Sequence, residues 1–186
     1  MLVEHTPIPG LVILTPRRFG DHRGFFCESW NEQRMQKEGL DYRFVQDNHS
    51  VSMEQDTLRG LHYQSPPHAQ AKLVRCGRGT LWDVAVDVRT GSPTFGQWFG
   101  VELSFENGRQ LMIPAGFLHG FVTTEPQTEI VYKCTDYYAP ESDGAVAWDS
   151  CGIDWPLKGD PILSEKDAAA ITMSAFKSPF DWTKTA

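Results

Sequence analysis

The sequence predicts an all-β chain, a double-sheet sandwich or jelly roll with short flanking helices, and three observations predict it. Short segments rich in β-branched and aromatic residues recur at near-regular spacing, punctuated by Gly, Pro and Asn. The clearest of them alternates with a period of two. Helical patterning is confined to two short stretches. A run of short strands with little helix buries its apolar faces by packing one sheet on another.

Taken in order, strands are expected over residues 11–15, 24–29, 44–52, 57–63, 70–76, 80–88, 95–104, 110–113, 120–124 and 128–138. In 80–88, Trp82, Val84, Val86 and Val88 share one face, and Leu81, Asp83, Ala85 and Asp87 share the other. Residues 31–40 (NEQRMQKEGL) are rich in helix formers and stop at Gly39. Residues 164–171 (SEKDAAAI) open on Ser-x-x-Asp, a pattern close to a capping box.

At 186 residues, with no repeat, linker or low-complexity tract, the chain reads as a single domain over 1–186. Lys and Arg number 17 against 24 Asp and Glu, for a formal charge of −7. That balance argues against nucleic acid or an anionic membrane as partner, both of which need a positive field. A phosphate-bearing ligand must then be met by a local cluster of cations. No stretch approaches the roughly 20 apolar residues of a membrane span, and MLVEHTPIPG lacks the basic and apolar regions of a signal peptide. The 4 cysteines form no CxxC pair. A cytoplasmic, reducing setting is expected.

Polar residues on faces that ought to be buried carry the functional signal. Gln46, Asn48, Ser50 and Ser52 fall on one face of their strand, which is either solvent-exposed or the lining of a wet pocket. Tyr132 and Tyr138 share a face with Ile130 and Cys134. Arg59-Gly-Leu-His62 is followed at Lys72 by a neighbouring strand, so a histidine and a lysine can converge on one cavity. A regular strand would send Arg59 and His62 to opposite faces; Gly60 between them permits a bulge.

Pro114-Ala-Gly116-Phe-Leu-His119 resembles the second signature of the cupin superfamily, whose members are jelly rolls of the double-stranded β-helix type. Metal-binding cupins carry an H-x-H pair and a Glu in their first signature. Here that place reads His62-Tyr63-Gln64, and no Glu lies between His62 and Gly79. No metal is therefore expected.

The chain is similar, from about Pro9 to Pro179, to the dTDP-4-dehydrorhamnose 3,5-epimerase family. The resemblance rests on D-x-R-G-x-F-x-E (Asp21 to Glu28), Q-D-N-x-S-x-S (Gln46 to Ser52) and L-R-G-L-H-Y-Q (Leu58 to Gln64). It continues through the strand from Lys72 to Gly79, I-P-x-G-F-x-H-G-F (Ile113 to Phe121), E-x-x-Y-K (Glu129 to Lys133) and L-S-x-K-D (Leu163 to Asp167). Their order and spacing together are specific.

The resemblance implies a thymidine-diphosphate sugar with a ketone at C4 as substrate, inverted at C3 and C5. The ketone acidifies both C–H bonds, so the chemistry needs a base, an acid on the opposite face and a cation at the oxygen, and no cofactor. By motif, His62 resembles the base, Tyr132 the acid and Lys72 the cation near O4. Asp167 resembles the carboxylate that orients His62, holding Nδ1–H and leaving Nε2 free for the proton. His119 resembles a sugar or oxyanion contact. Arg23 and Arg59 match diphosphate contacts, Glu28, Gln46 and Asn48 match nucleoside contacts, and Tyr138 matches a ring that stacks on the base. The family also implies a homodimer with strand exchange, in which Arg23 and Glu28 serve the neighbouring site. In two places the chain departs from the family: Asp143 stands where Glu is usual, and Ala168 where Lys often follows the tail Asp. Alternatives are an epimerase of one carbon only, a metal-dependent cupin, and a sugar-nucleotide binder without catalysis.

Overall fold

The computed structural model describes residues 1–183. Its main body is two antiparallel sheets. One has six strands in the order β1 (Leu2–His5), β2 (Val12–Thr15), β10 (Gln110–Ile113), β7 (Lys72–Arg78), β12 (Thr128–Cys134) and β5 (Gln46–Ser52). The other has five, β13 (Asp143–Ala145), β6 (Leu58–Gln64), β11 (Phe117–Thr123), β8 (Thr80–Asp87) and β9 (Trp98–Ser104). The hairpin β3 (Arg18–Asp21) and β4 (Gly24–Cys27) pairs with neither. Two short helices, α1 (Glu32–Lys37) and α2 (Glu165–Ala168), flank this body. The predicted jelly roll is the observed one.

The core between the sheets comprises Val74 and Cys76 of β7, Leu81 and Ala85 of β8, Phe117 and Phe121 of β11, and Ile130 of β12. Because side chains alternate, each strand also places its next inward residue beside that core. Those residues are Lys72, Asp83, His119 and Tyr132, all polar. Lys72 and Tyr132 line one cavity, Lys72 and His119 line another beside it, and Asp83 lies behind His119. The opposite face of β8 is buried as well, with Val84, Val86 and Val88 packed in a second cluster with Leu61, Leu118 and Val146. The apolar alternation of 80–88 thus marks a strand covered on both sides.

Three strands lie outside the sequence expectation: β1, β3 and β13. β1 is largely exposed, β3 reads Arg-Phe-Gly-Asp, and β13 has three residues, so none shows an apolar period. The strand expected over 128–138 ends at Cys134, and the one expected from 120 begins at Phe117. Ser164 caps α2 by accepting the N–H of Asp167 at 3.1 Å. The reciprocal half of a capping box is missing, because the Asp167 carboxylate is used elsewhere.

Candidate active site

His62 is placed by an irregularity in β6. Between His62 opposite His119 and Arg59 opposite Phe121, three steps along β6 face two along β11. That extra residue is a bulge, and it reverses the alternation so that Arg59 and His62 can serve one side. Gly60 makes it possible. Its φ is +133°, and a Cβ there would stand 2.6 Å from the Gly120 Cα.

His62 Nε2 lies 2.5 Å from Asp167 Oδ1. This corrects the expected orientation: the carboxylate takes Nε2, and Nδ1 has no protein partner among the described residues. Asp167 comes from α2, which packs against β6 and meets the ring at its outer nitrogen. Asp167 is 2% exposed and also accepts the Gly60 N–H. Burial pushes its carboxyl pKa upward, but the His62 contact and the Ser164 and Gly60 hydrogen bonds outweigh that and hold it below the usual carboxylate value.

His62, Lys72, Tyr132, Gln46, Asn48 and Tyr138 line one cavity of about 190 Å³, with Asp143 and Lys166 at its edge. The polar face of 44–52 is therefore a pocket wall. Burial pushes the Lys72 ammonium below the ordinary lysine pKa, with Cys134, Asp143 and Asp83 acting the other way. The Lys72 Nζ stands 5.9 Å from the centre of the Tyr132 ring. Burial raises the Tyr132 phenol pKa, and Arg59 partly opposes it. At neutral pH the phenol is a proton donor.

His119 sits deeper, on a small adjoining cavity that Lys72 also lines. Its Nε2 lies 2.8 Å from Oδ1 of fully buried Asp83. Arg59 lies against β5, donating to the Ser52 hydroxyl and the Val51 carbonyl, each at 3.2 Å. Arg23 and Glu28 are not brought into the cavity. Arg23 pairs with Asp21 on the exposed hairpin, and Glu28 pairs with Arg34 at 3.0 Å.

Sequence reasoning missed Lys166, which bonds Asp143 at the cavity edge. The signal was present in the L-S-x-K-D motif: a cation stands one residue before Asp167, although Ala168 follows it. It also missed Asp83, visible only as a charge on one face of 80–88.

The donors present do not make a metal centre. His62 and His119 each give Nε2 to their own carboxylate, and among the described residues no three His, Cys, Asp or Glu gather around a common point. What the cavity brings together is an imidazole, a phenol and an ammonium, groups able to move protons, on a cupin-like β fold.

Comparison with known proteins makes that reading specific. The family model described as dTDP-4-dehydrorhamnose 3,5-epimerase matches residues 5–175. The chain belongs to that family. It is 55% identical over 173 residues to the dTDP-4-dehydrorhamnose 3,5-epimerase of Salmonella typhimurium, covering 91% of this chain and 94% of that one. Its fold matches the dTDP-6-deoxy-D-glucose-3,5-epimerase of Legionella pneumophila, solved with dTDP-4-keto-L-rhamnose, at a TM-score of 0.93 and 47% identity, covering 98% and 99% of the two chains. It also matches the Bacillus anthracis dTDP-4-dehydrorhamnose 3,5-epimerase, solved with TDP and PPi, at 0.90 and 45%, covering 92% and 99%.

Proposed function

We propose that the protein epimerises dTDP-4-dehydro-6-deoxy-D-glucose at C3 and C5, giving dTDP-4-dehydro-L-rhamnose. Family membership supports the reaction. The observation that carries the mechanism is that one cavity opens on an imidazole held by a buried carboxylate, a phenol from the other sheet and a half-buried ammonium.

His62 takes the proton from the carbon beside the ketone, and the C–H electrons move into the ring as an enolate. Lys72 stabilises the negative charge gathering on O4. Tyr132 returns a proton from the opposite face, which inverts the centre, and exchange with solvent resets both groups. The same cycle then runs at the other carbon. Asp167 keeps the imidazole oriented and stabilises the imidazolium once it forms. His119, held by Asp83, contacts the sugar from below.

At the outer end, Arg59 meets the diphosphate, Gln46 and Asn48 meet the nucleoside, and Tyr138 stacks on the base. A cavity of about 190 Å³ is smaller than the roughly 300–1,000 Å³ of ordinary ligand pockets. It suits the sugar, so the nucleotide must extend beyond it. The hairpin β3–β4 exposes Phe19 at 54% and Phe26 at 70%, an apolar surface that asks for cover. A homodimer with strand exchange, each copy lending Arg23 and Glu28 to the other, meets both needs. A single domain in the cytoplasm is the setting that fits this reading; among the described residues no helix is long and apolar enough to cross a membrane.

Reaction in D2O with NMR detection tests the proposal. Deuterium at both C3 and C5 is the expected result, and label at only one carbon contradicts the double inversion.

A further inference from the structure

The segment carrying Tyr138 is held by glutamine side chains rather than by a strand ladder. β12 ends at Cys134, four residues earlier. Beyond it, Gln70 Nε2 donates to the Asp136 carbonyl at 2.8 Å, and Gln64 Nε2 donates to the Tyr137 carbonyl at 2.9 Å. The Tyr138 N–H donates to Gln46 Oε1 at 2.9 Å, and the Ala139 N–H to Gln64 Oε1 at 3.0 Å. Gln64 therefore grips the peptide units on both sides of Tyr138 at once. It ties them to the 65–70 loop as well, since its Nε2 also donates to the His68 carbonyl.

Gln64 is 6% exposed and stands two residues after His62 on β6. Its carboxamide is fully used: both N–H groups meet carbonyls and the oxygen meets an amide. The Tyr138 side chain itself is mostly exposed, and among the described residues it makes one hydrogen bond, from its hydroxyl to Asp143 Oδ2 at 3.3 Å. Its ring is aimed by its backbone, and its backbone is aimed by Gln64.

We infer that Gln64 is a positioning residue for nucleotide recognition, fixing the Tyr138 ring where a thymine base stacks on it. This rests on the stacking role given to Tyr138 above. Glutamate is nearly isosteric, yet it would set an acceptor against two carbonyls. Only a residue with a donor and an acceptor in one plane bridges this segment.

The test is steady-state kinetics of Gln64→Glu, Tyr138→Ala and the double variant with the dTDP-4-keto sugar. Q64E should raise KM about tenfold and leave kcat within about twofold, since two neutral hydrogen bonds are lost away from the reacting carbons. Gln64 also lines the cavity, so the double variant separates a direct contact from one that runs through Tyr138: in the Tyr138→Ala background the same change should add little to KM. A Q64E variant that lowers kcat as much as kcat/KM, or that raises KM undiminished without Tyr138, overturns the inference. If Tyr138→Ala leaves KM unchanged, the stacking role fails and this inference with it. If Tyr138→Ala raises KM and Q64E does not, this inference alone fails. Should Q64E not fold, amide exchange in the unaltered protein decides: a slowly exchanging Ala139 N–H supports the grip, and rapid exchange refutes it.

Discussion

Nε2 of His62 lies 2.5 Å from Oδ1 of Asp167, a residue 105 positions further along the chain. The contact couples β6 to the tail and gives the tail a stake in acid stability. In the folded protein the Asp167 carboxyl pKa is held below the usual carboxylate value, burial raising it and His62, Ser164 and Gly60 together outweighing burial. A depressed carboxylate adds stability that is complete above the unfolded pKa and lost as pH falls through the folded one. Asp167→Asn should therefore flatten the fall of melting temperature below about pH 4 while lowering stability near neutrality. A variant whose acid unfolding curve superimposes on that of the unaltered protein would leave the pair without thermodynamic weight.

Removing the base and removing the acid should look different. His62→Ala should cut kcat by roughly 10²–10⁴-fold and abolish deuterium uptake at both carbons, with dTDP affinity little changed. Tyr132→Phe keeps the base, so the C–H proton is still drawn off. It should retain measurable solvent exchange while inversion is lost. Exchange abolished equally in both variants would deny the phenol its separate role.

Lys72 and Tyr132 are displaced in opposite directions by the same burial: the ammonium titrates below 10.5 and the phenol above 10.0. Loss of the ammonium's proton removes the cation placed at O4, so an alkaline limb of kcat is expected from Lys72. The alkaline limb of kcat should thus lie below the titration of a solvent-exposed lysine, about 10.4. Lys72→Arg, which stays charged, should remove that limb even where it lowers the plateau. A limb unmoved in Lys72→Arg would assign it to another group.

Much of this site was legible beforehand because it is written in local alternation. The polar face of Gln46 and Asn48 and the Gly60 step follow from period two and its interruption, whereas Tyr138 lies beyond the end of β12 at Cys134, off the strand face that the period assigns it. What escaped depends on chain segments that meet only in the fold. Which nitrogen of His62 meets Asp167 is set by the angle at which α2 arrives. The three-residue β13 exists only because β6 offers its edge, Asp143 lying opposite Gln64. The Lys166 and Asp143 contact joins residues 23 apart across the cavity rim.

Gly60 should tolerate no side chain. Its φ of +133° disfavours any L residue, and the nearest atoms to a Cβ, the Gly120 Cα at 2.6 Å and the His119 carbonyl at 2.9 Å, are backbone that cannot swing away. Gly60→Ala should cost roughly 2–4 kcal/mol from strain and overpacking. Activity should fall as well, since the bulge aims His62 and offers its N–H to Asp167. Urea titration reads the first effect. An unchanged midpoint would mean the strand can straighten.

Arg23 sits on the exposed hairpin, outside the cavity its motif assigns it to. If a second copy brings that arginine to the diphosphate, each site draws His62 and Arg23 from different chains. Two crippled variants, Arg23→Ala and His62→Ala, can then repair one another. In a mixed dimer, one site pairs the intact His62 of the first variant with the intact Arg23 of the second and is whole, while the other site lacks both. Random mixing makes half the dimers mixed with one good site in two, so co-expression should restore about a quarter of normal activity at low substrate. If both residues came from one chain, every site in the mixture would lack one of them and nothing would be regained. Activity no higher than the mean of the two variants alone would therefore refute the exchange, whereas recovery near one quarter would establish it.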